Sequence, residues 1–173
     1  PHYYNEETDV RHFLSGHVDR FRRGWLVQQA EALGRAYQAT GEQKYARRVA
    51  LILDKVARLY PHWPAIHNRY IERIKFCNSQ EPPYPWDAGR WGWFHNEMSK
   101  GLIRAYDLIY DSDIFDKLSQ DREYNVRQRI ENDYFRPTYE AARVSGYHVG
   151  NVVGYDVTSA AMLGRVLGDP DMV

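Results

Sequence analysis

The chain has 173 residues, enough for one domain with a core of its own. Hydrophobic residues make up 43% and charged residues 27%, a globular balance that excludes a disordered chain. Lys+Arg and Asp+Glu number 23 each, so the formal net charge is zero and any attraction for an anionic polymer must be local.

In chain order, Leu26, Ala30, Leu33 and Tyr37 step by four, three and four, one stripe of an α-helix. Thr40-Gly41 closes it, with Gly41 suited to the left-handed position after a helix. Tyr45, Val49, Ile52, Val56 and Tyr60 form the next stripe, which stops before Pro61 because the residue preceding proline disfavours the α region. A very short turn joins the two, which predicts an antiparallel helical hairpin over Leu26–Tyr60. A third helix is predicted from Ala65 to Phe76. The loop Gln80–Gly89 follows, and its three prolines and a glycine exclude a helix interior.

Met98, Leu102, Ala105 and Ile109 announce a fourth helix that ends near Asp111-Ser112-Asp113. From Ile114 to Val144 the pattern stays helical but less clean, and Pro137 is predicted to kink or divide it. Gly146 and Gly150 then break the pattern. A last helix, roughly Asp156 to Leu167, stacks Val157, Ala161, Gly164 and Leu167 before Gly168-Asp169-Pro170 stops it. No segment alternates apolar and polar residues convincingly, so the fold class is all-α. Ala36-Tyr37 through Tyr45-Ala46 has the look of a tetratricopeptide hairpin. That fold repeats about every 34 residues, and no matching Ala-Tyr pair stands at that distance.

Other signals narrow the chemistry. Cys77 is the only cysteine, so neither an intrachain disulfide nor a CxxC metal site is possible. No apolar run approaches the ~20 residues a membrane helix needs. His62 and His67 do not have the spacing of a helical zinc pair, and no metal is expected. No GxGxxG or P-loop is present. Arg20, Arg22 and Arg23 form a small basic patch that either meets an acidic glycan or, the weightier reading, is a solvated face, and Gly164 with Gly168 reads as close helix packing. The chain opens on Pro1 and stops at Val173, and both ends read as cuts from a longer protein.

Aromatic residues are abundant, with 14 Tyr, 5 Trp and 6 Phe, and many cluster between Pro82 and Phe94. Such rings either fill a helical core or offer sugars a flat apolar face with a polar edge. Two constellations carry candidate chemistry. In the first, Trp91, Trp93, His95, Asn96 and Glu97 bring stacking surface and hydrogen-bonding groups to a helix start, where backbone N–H groups favour anions. The structural alternative is that the tryptophans plug the core and Asn96 caps the helix. In the second, Gly150 and Gly154 flank Asn151, so that a turn can present its amide to a cleft, and Tyr147, His148 and Tyr155 are capable of acid–base work. The structural alternative is a glycine-terminated helix with these side chains packed or exposed.

Read in order, these pieces resemble the heparinase II/III-like polysaccharide lyases. The "AY..TG...YA" phrase within Trp25–Tyr60 is similar to that family's early helical hairpin. Trp91 to Ser112, with Arg104-Ala105, resembles its Trp-containing segment and following helix. Gly150-Asn151 with the helix to Leu167 resembles the Gly-Asn element that opens a later helix. After Asn151 the pattern departs, with Val152-Val153 where many relatives carry His or Trp.

The resemblance implies an incomplete (α/α) toroid of antiparallel hairpins over residues 1–173, with β-sandwich and further catalytic parts elsewhere. It implies cofactor-free β-elimination on an acidic, uronic-acid-containing polysaccharide such as a glycosaminoglycan or alginate. Asn151 would neutralise the uronate carboxylate, with Tyr147 and His148 nearby. The aromatic cluster and Tyr155 would bind substrate, and the catalytic tyrosine is expected beyond Val173. A periplasmic or secreted location is implied, with no nucleic acid and no membrane insertion. The rival from another class is a non-enzymatic helical-repeat scaffold that binds a protein or peptide.

Overall fold

The computed structural model describes residues 2–62, 99–144 and 153–172, and these are mostly helical. The chain first forms a small ribbon that the sequence pattern does not announce. β1 (His2–Asn5) pairs antiparallel with β2 (Val10–Phe13), in the register His2↔Phe13 and Asn5↔Val10. Its turn is held by polar side chains. Asn5 Oδ1 accepts from the backbone N–H groups of Glu7 at 3.0 Å and Thr8 at 3.3 Å, and the Tyr4 hydroxyl donates to Asp9 Oδ1 at 2.7 Å. Asp9 takes the left-handed conformation at φ 51°, which Asp tolerates better than most residues.

α1 (Leu14–Thr40) starts well before the predicted stripe. The predicted stripe marks only the half that meets the core: Val18, Phe21 and Trp25 are exposed, whereas Ala30 is fully buried. Gly41, at φ +70°, ends the helix, and its N–H reaches the Tyr37 carbonyl at 2.7 Å. α2 (Gln43–Leu59) begins two residues later, so the predicted hairpin forms with its helices antiparallel and packed. The α-helix does stop before Pro61, and one tighter turn, Tyr60–His62, continues it.

α3 (Lys100–Leu108) lies along α1. Its cap is Ser99, not Asn96: the Ser99 hydroxyl accepts from the Leu102 N–H at 3.5 Å. Asp111-Ser112-Asp113 is the predicted break, and α4 (Ile114–Gln120) follows it directly. α5 (Val126–Ile130), capped by Asn125, runs into a π-helical turn at Glu131–Phe135 and on into α6 (Arg136–Val144). Pro137 therefore does not divide the helix. A proline has no N–H to donate and its ring crowds the carbonyl four residues back, here Asp133. The wider turn falls on that residue and accommodates the ring. α7 (Val153–Leu167) ends at Gly168, φ +65°, with Asp169 N–H bonded to the Gly164 carbonyl at 2.8 Å. The predicted helix over 65–76 and the loop over 80–89 lie outside the described residues.

The core gathers on α2, whose Ala46, Val49, Ala50, Leu53 and Ala57 are all fully buried. Against them stand Ile103, Tyr106 and Ile109, then Phe115, Val126, Ile130 and Phe135, and Leu163 of α7. Two glycines set the approach of α1 to α3. A Cβ at Gly101 would lie 2.5 Å from Val27 Cγ1, and one at Gly34 would lie 3.0 Å from Leu108 Cβ. Gly24, earlier on α1, has nothing within 4 Å of its Cβ position.

The same substitution should therefore change sign along this fold. Gly101→Ala is expected to destabilise by about 1–3 kcal/mol, since β-branched Val27 has little rotamer freedom to move aside. Gly24→Ala should stabilise by about 0.5–1 kcal/mol, by lowering the entropy lost on folding. Urea denaturation of the two variants checks both signs.

Candidate functional site

The candidate residues of the first constellation, Trp91, Trp93, His95, Asn96 and Glu97, lie outside the described residues, as do Tyr147, His148 and Asn151. Tyr155 falls in the first turn of α7, where the backbone alone is described. What the structure does describe is the frame. The first constellation leads in sequence into α3 and the second into α7, and α3 and α7 pack against each other.

Among the described residues, two polar clusters interrupt the apolar interior. The first centres on Asp54, only 2% exposed although it lies in mid-helix. A buried carboxylate needs charged or hydrogen-bonding partners. Arg122 donates to Asp54 Oδ2, and the Tyr124 hydroxyl donates to Asp54 Oδ1 at 3.0 Å. Arg58 approaches the same carboxylate at 3.9 Å from the surface side. Arg129 stacks on Tyr124, 3.4 Å from the ring centroid, and lies 3.7 Å from Asp133. The Arg122 guanidinium is held more firmly charged than usual, first by the Tyr124 hydroxyl and then by Asp54. The cluster ties α2 to the segment between α4 and α5.

The second cluster centres on Tyr106, which is fully buried on α3. Its hydroxyl donates to Glu131, the first residue of the π turn, and Arg127 Nη1 donates to the hydroxyl oxygen at 3.4 Å. Arg127 is itself sandwiched, with its guanidinium carbon 4.6 Å from the Tyr110 ring and 4.5 Å from Phe115. Burial above all, and then the bond to Glu131, pushes the Tyr106 phenol far above its ordinary value. A tyrosine that takes a proton from substrate needs an accessible phenolate near neutral pH. Tyr106 has the opposite properties, so it belongs to the scaffold and not to the chemistry. No group of three His, Cys, Asp or Glu among the described residues could hold a metal ion.

Sequence reasoning passed over both clusters. For Asp54 a signal existed, because it shares a helical stripe with Ala50 at i−4 and Ala57 at i+3. For Tyr106 and Glu131 none did, since their pairing crosses from one helix to another. Comparison with known proteins finds no matching family model, no similar curated protein and no similar solved structure.

Tyr106 makes a pH prediction. Because the folded state holds its proton above the ordinary value of 10.0, the unfolded chain releases it first as pH rises. The stabilisation is complete below about pH 10 and falls above it by up to about 1.4 kcal/mol per pH unit. Tyr106→Phe should cost about 1–2 kcal/mol at neutral pH through the lost hydrogen bond, and its deficit relative to the wild type should narrow above about pH 10. Denaturant titrations of both proteins at neutral and alkaline pH measure this.

Proposed function

We propose that the chain is the helical part of a polysaccharide lyase that cleaves uronic-acid-containing glycans by β-elimination, within an incomplete (α/α) toroid. The observation that carries the reading is the packing of α3 against α7. α3 begins shortly after the first candidate constellation and α7 begins within the second, which favours a shared site for aromatic stacking and carboxylate neutralisation. The residues of the family-like hairpin phrase also have physical work at the hairpin tip: Ala46 is fully buried, Tyr37 packs against the core, and Gly41 makes the turn.

In the proposed reaction Asn151 donates its amide hydrogens to the uronate carboxylate. A base removes the C5 proton, and charge accumulates on that carboxylate in the transition state, where a fixed donor is most effective. The C4–O4 bond then breaks, a C4–C5 double bond forms, and the leaving oxygen takes a proton. Trp91, Trp93 and Tyr155 offer sugar-binding surface, while His95, Asn96 and Glu97 offer hydrogen bonds. Tyr147 and His148 stand near Asn151 in sequence, and the principal tyrosine base is placed beyond Val173. No cofactor is required, and the site of action is the periplasm or the extracellular space. Among the described residues no helix is long and apolar enough to cross a membrane.

A second reading, a helical-repeat scaffold that binds a protein or peptide, is favoured by the exposed apolar residues Val18, Phe21 and Trp25 of α1. Incubating the protein that carries this chain with heparan sulfate, chondroitin sulfate, hyaluronan and alginate separates the two. The conjugated product of elimination absorbs in the near ultraviolet, and a scaffold yields none.

For the active protein, Asn151→Ala should lower kcat by an amount worth about 2.7–4 kcal/mol, as loss of a transition-state donor does. The melting temperature should change little. A helix-capping Asn151 would instead lose about 0.5–2 kcal/mol of stability and keep near-normal turnover. Measuring kcat and melting temperature on one sample distinguishes the roles.

A further inference from the structure

We infer that the outward face of α2 is a docking surface for a linear acidic polysaccharide. The chain has no net charge, so an anionic polymer can be drawn only to a local concentration of cations. At 3.6 residues per turn, Lys44, Arg47, Arg48, Lys55 and Arg58 fall within one sector of about 120°, along about 21 Å of helix. All five are exposed, and the only other residues in the sector are Leu51 and Leu59. The opposite face is fixed in the core by Ala46, Val49, Ala50, Leu53 and Ala57. The helix therefore cannot turn its cations elsewhere.

This charge is only partly compensated. Glu42 pairs with Lys44 at 2.5 Å, and Arg58 touches the edge of buried Asp54 at 3.9 Å. Arg47, Arg48 and Lys55 have no ion pair among the described residues. Lys44 with Arg47, Lys44 with Arg48, and Lys55 with Arg58 are like-charge neighbours at i,i+3 or i,i+4, a spacing that weakens a helix. A stripe that opposes the stability of its own helix is explained by an anionic ligand.

The form of the surface selects among polyanions. Within the sector there is no aromatic ring; Tyr45 borders it, half-buried with the Lys44 ammonium 4.8 Å over its ring, so nucleobases find no open stacking platform. An interfacial membrane helix turns its apolar face to lipid, whereas that of α2 is buried in the core. A straight row of long, flexible cations suits carboxylates or sulfates repeated along a sugar chain. The choice of a polysaccharide rests on the lyase reading, while the basic surface does not.

The test is binding of the whole chain to alginate and heparin oligosaccharides across a salt series, with dextran as the neutral polymer. Single-stranded RNA and phosphatidylserine vesicles form the other arms. Wild type should bind the acidic sugars, and the variant Arg47→Gln/Arg48→Gln/Lys55→Gln should lose about tenfold or more in affinity. Its salt slope should fall by about 2–3, near one unit per cation removed. Its melting temperature should hold or rise as repulsion is relieved. The variant Arg35→Gln/Lys117→Gln/Arg165→Gln, with the same charge change on other exposed positions, should bind like wild type. Undiminished binding by the α2 variant, equal loss in the control variant, or tighter binding to RNA or vesicles through the α2 cations would overturn the inference. Sugar binding by this chain, with no elimination products from the protein that carries it, would refute the lyase reading and leave the surface standing.

Discussion

The structure depends on a division of labour forced on one helix. α2 is the element around which α1, α3, α4, α5 and the π turn assemble, and a helix has only one face to bury. Three of its inward residues, Ala46, Ala50 and Ala57, are alanines without exposure, which lets neighbouring helices approach from several directions. Val49 and Leu53 supply the larger side chains between them. The glycines at the contact of α1 with α3 extend the same principle, since close backbones need small residues where they meet. Where α2 carries a charge inward, at Asp54, the fold supplies Arg122 and Tyr124 to satisfy it. Its remaining cations then have only one direction to point.

Much of this was legible in the sequence, and the reasons differ by element. The α1–α2 hairpin could be read because stripe, terminator and short turn all pointed the same way. The start of α1 escaped notice although Leu14, Val18, Phe21 and Trp25 also step by four, three and four: this stripe is exposed from Val18 on and is offset from the buried one that begins at Leu26. The ribbon at His2–Phe13 escaped notice for a related reason: two four-residue strands with an Asn/Asp-supported turn give neither alternation nor glycine signal. Pro137 illustrates how local rules yield to context. Its interruption is absorbed by one wide turn, which also brings Glu131 to Tyr106. The cap of α3 is Ser99, three residues on from the Asn96 that the sequence offered as a structural alternative. For the candidate site, sequence supplied residue types and spacing, while the described structure supplies the frame: α3 and α7, packed together.

The two parts of the functional account make different physical demands. β-Elimination needs a donor at a carboxylate and a base at the adjacent carbon, which is a matter of a few atoms held in place. Retention of an acidic polymer needs charge spread over a length of surface, where no single contact is decisive. The overall neutrality of the chain makes the second demand the more restrictive, because the cations must be segregated, and α2 segregates them. Tyr106 shows why burial and catalysis part company here. The more deeply a phenol is enclosed beside a carboxylate, the more firmly it keeps its proton.

Elimination is distinguished from every hydrolytic alternative by what it does not consume. Mass spectrometry of the products formed from an alginate or heparan oligosaccharide of defined length by the protein that carries this chain is therefore the most direct test. The account predicts that the masses of the two product fragments sum to that of the substrate, with the unsaturated uronate on one of them. Products that together exceed the substrate by one water would show hydrolysis and contradict it, and intact oligosaccharide after prolonged incubation would contradict catalysis altogether.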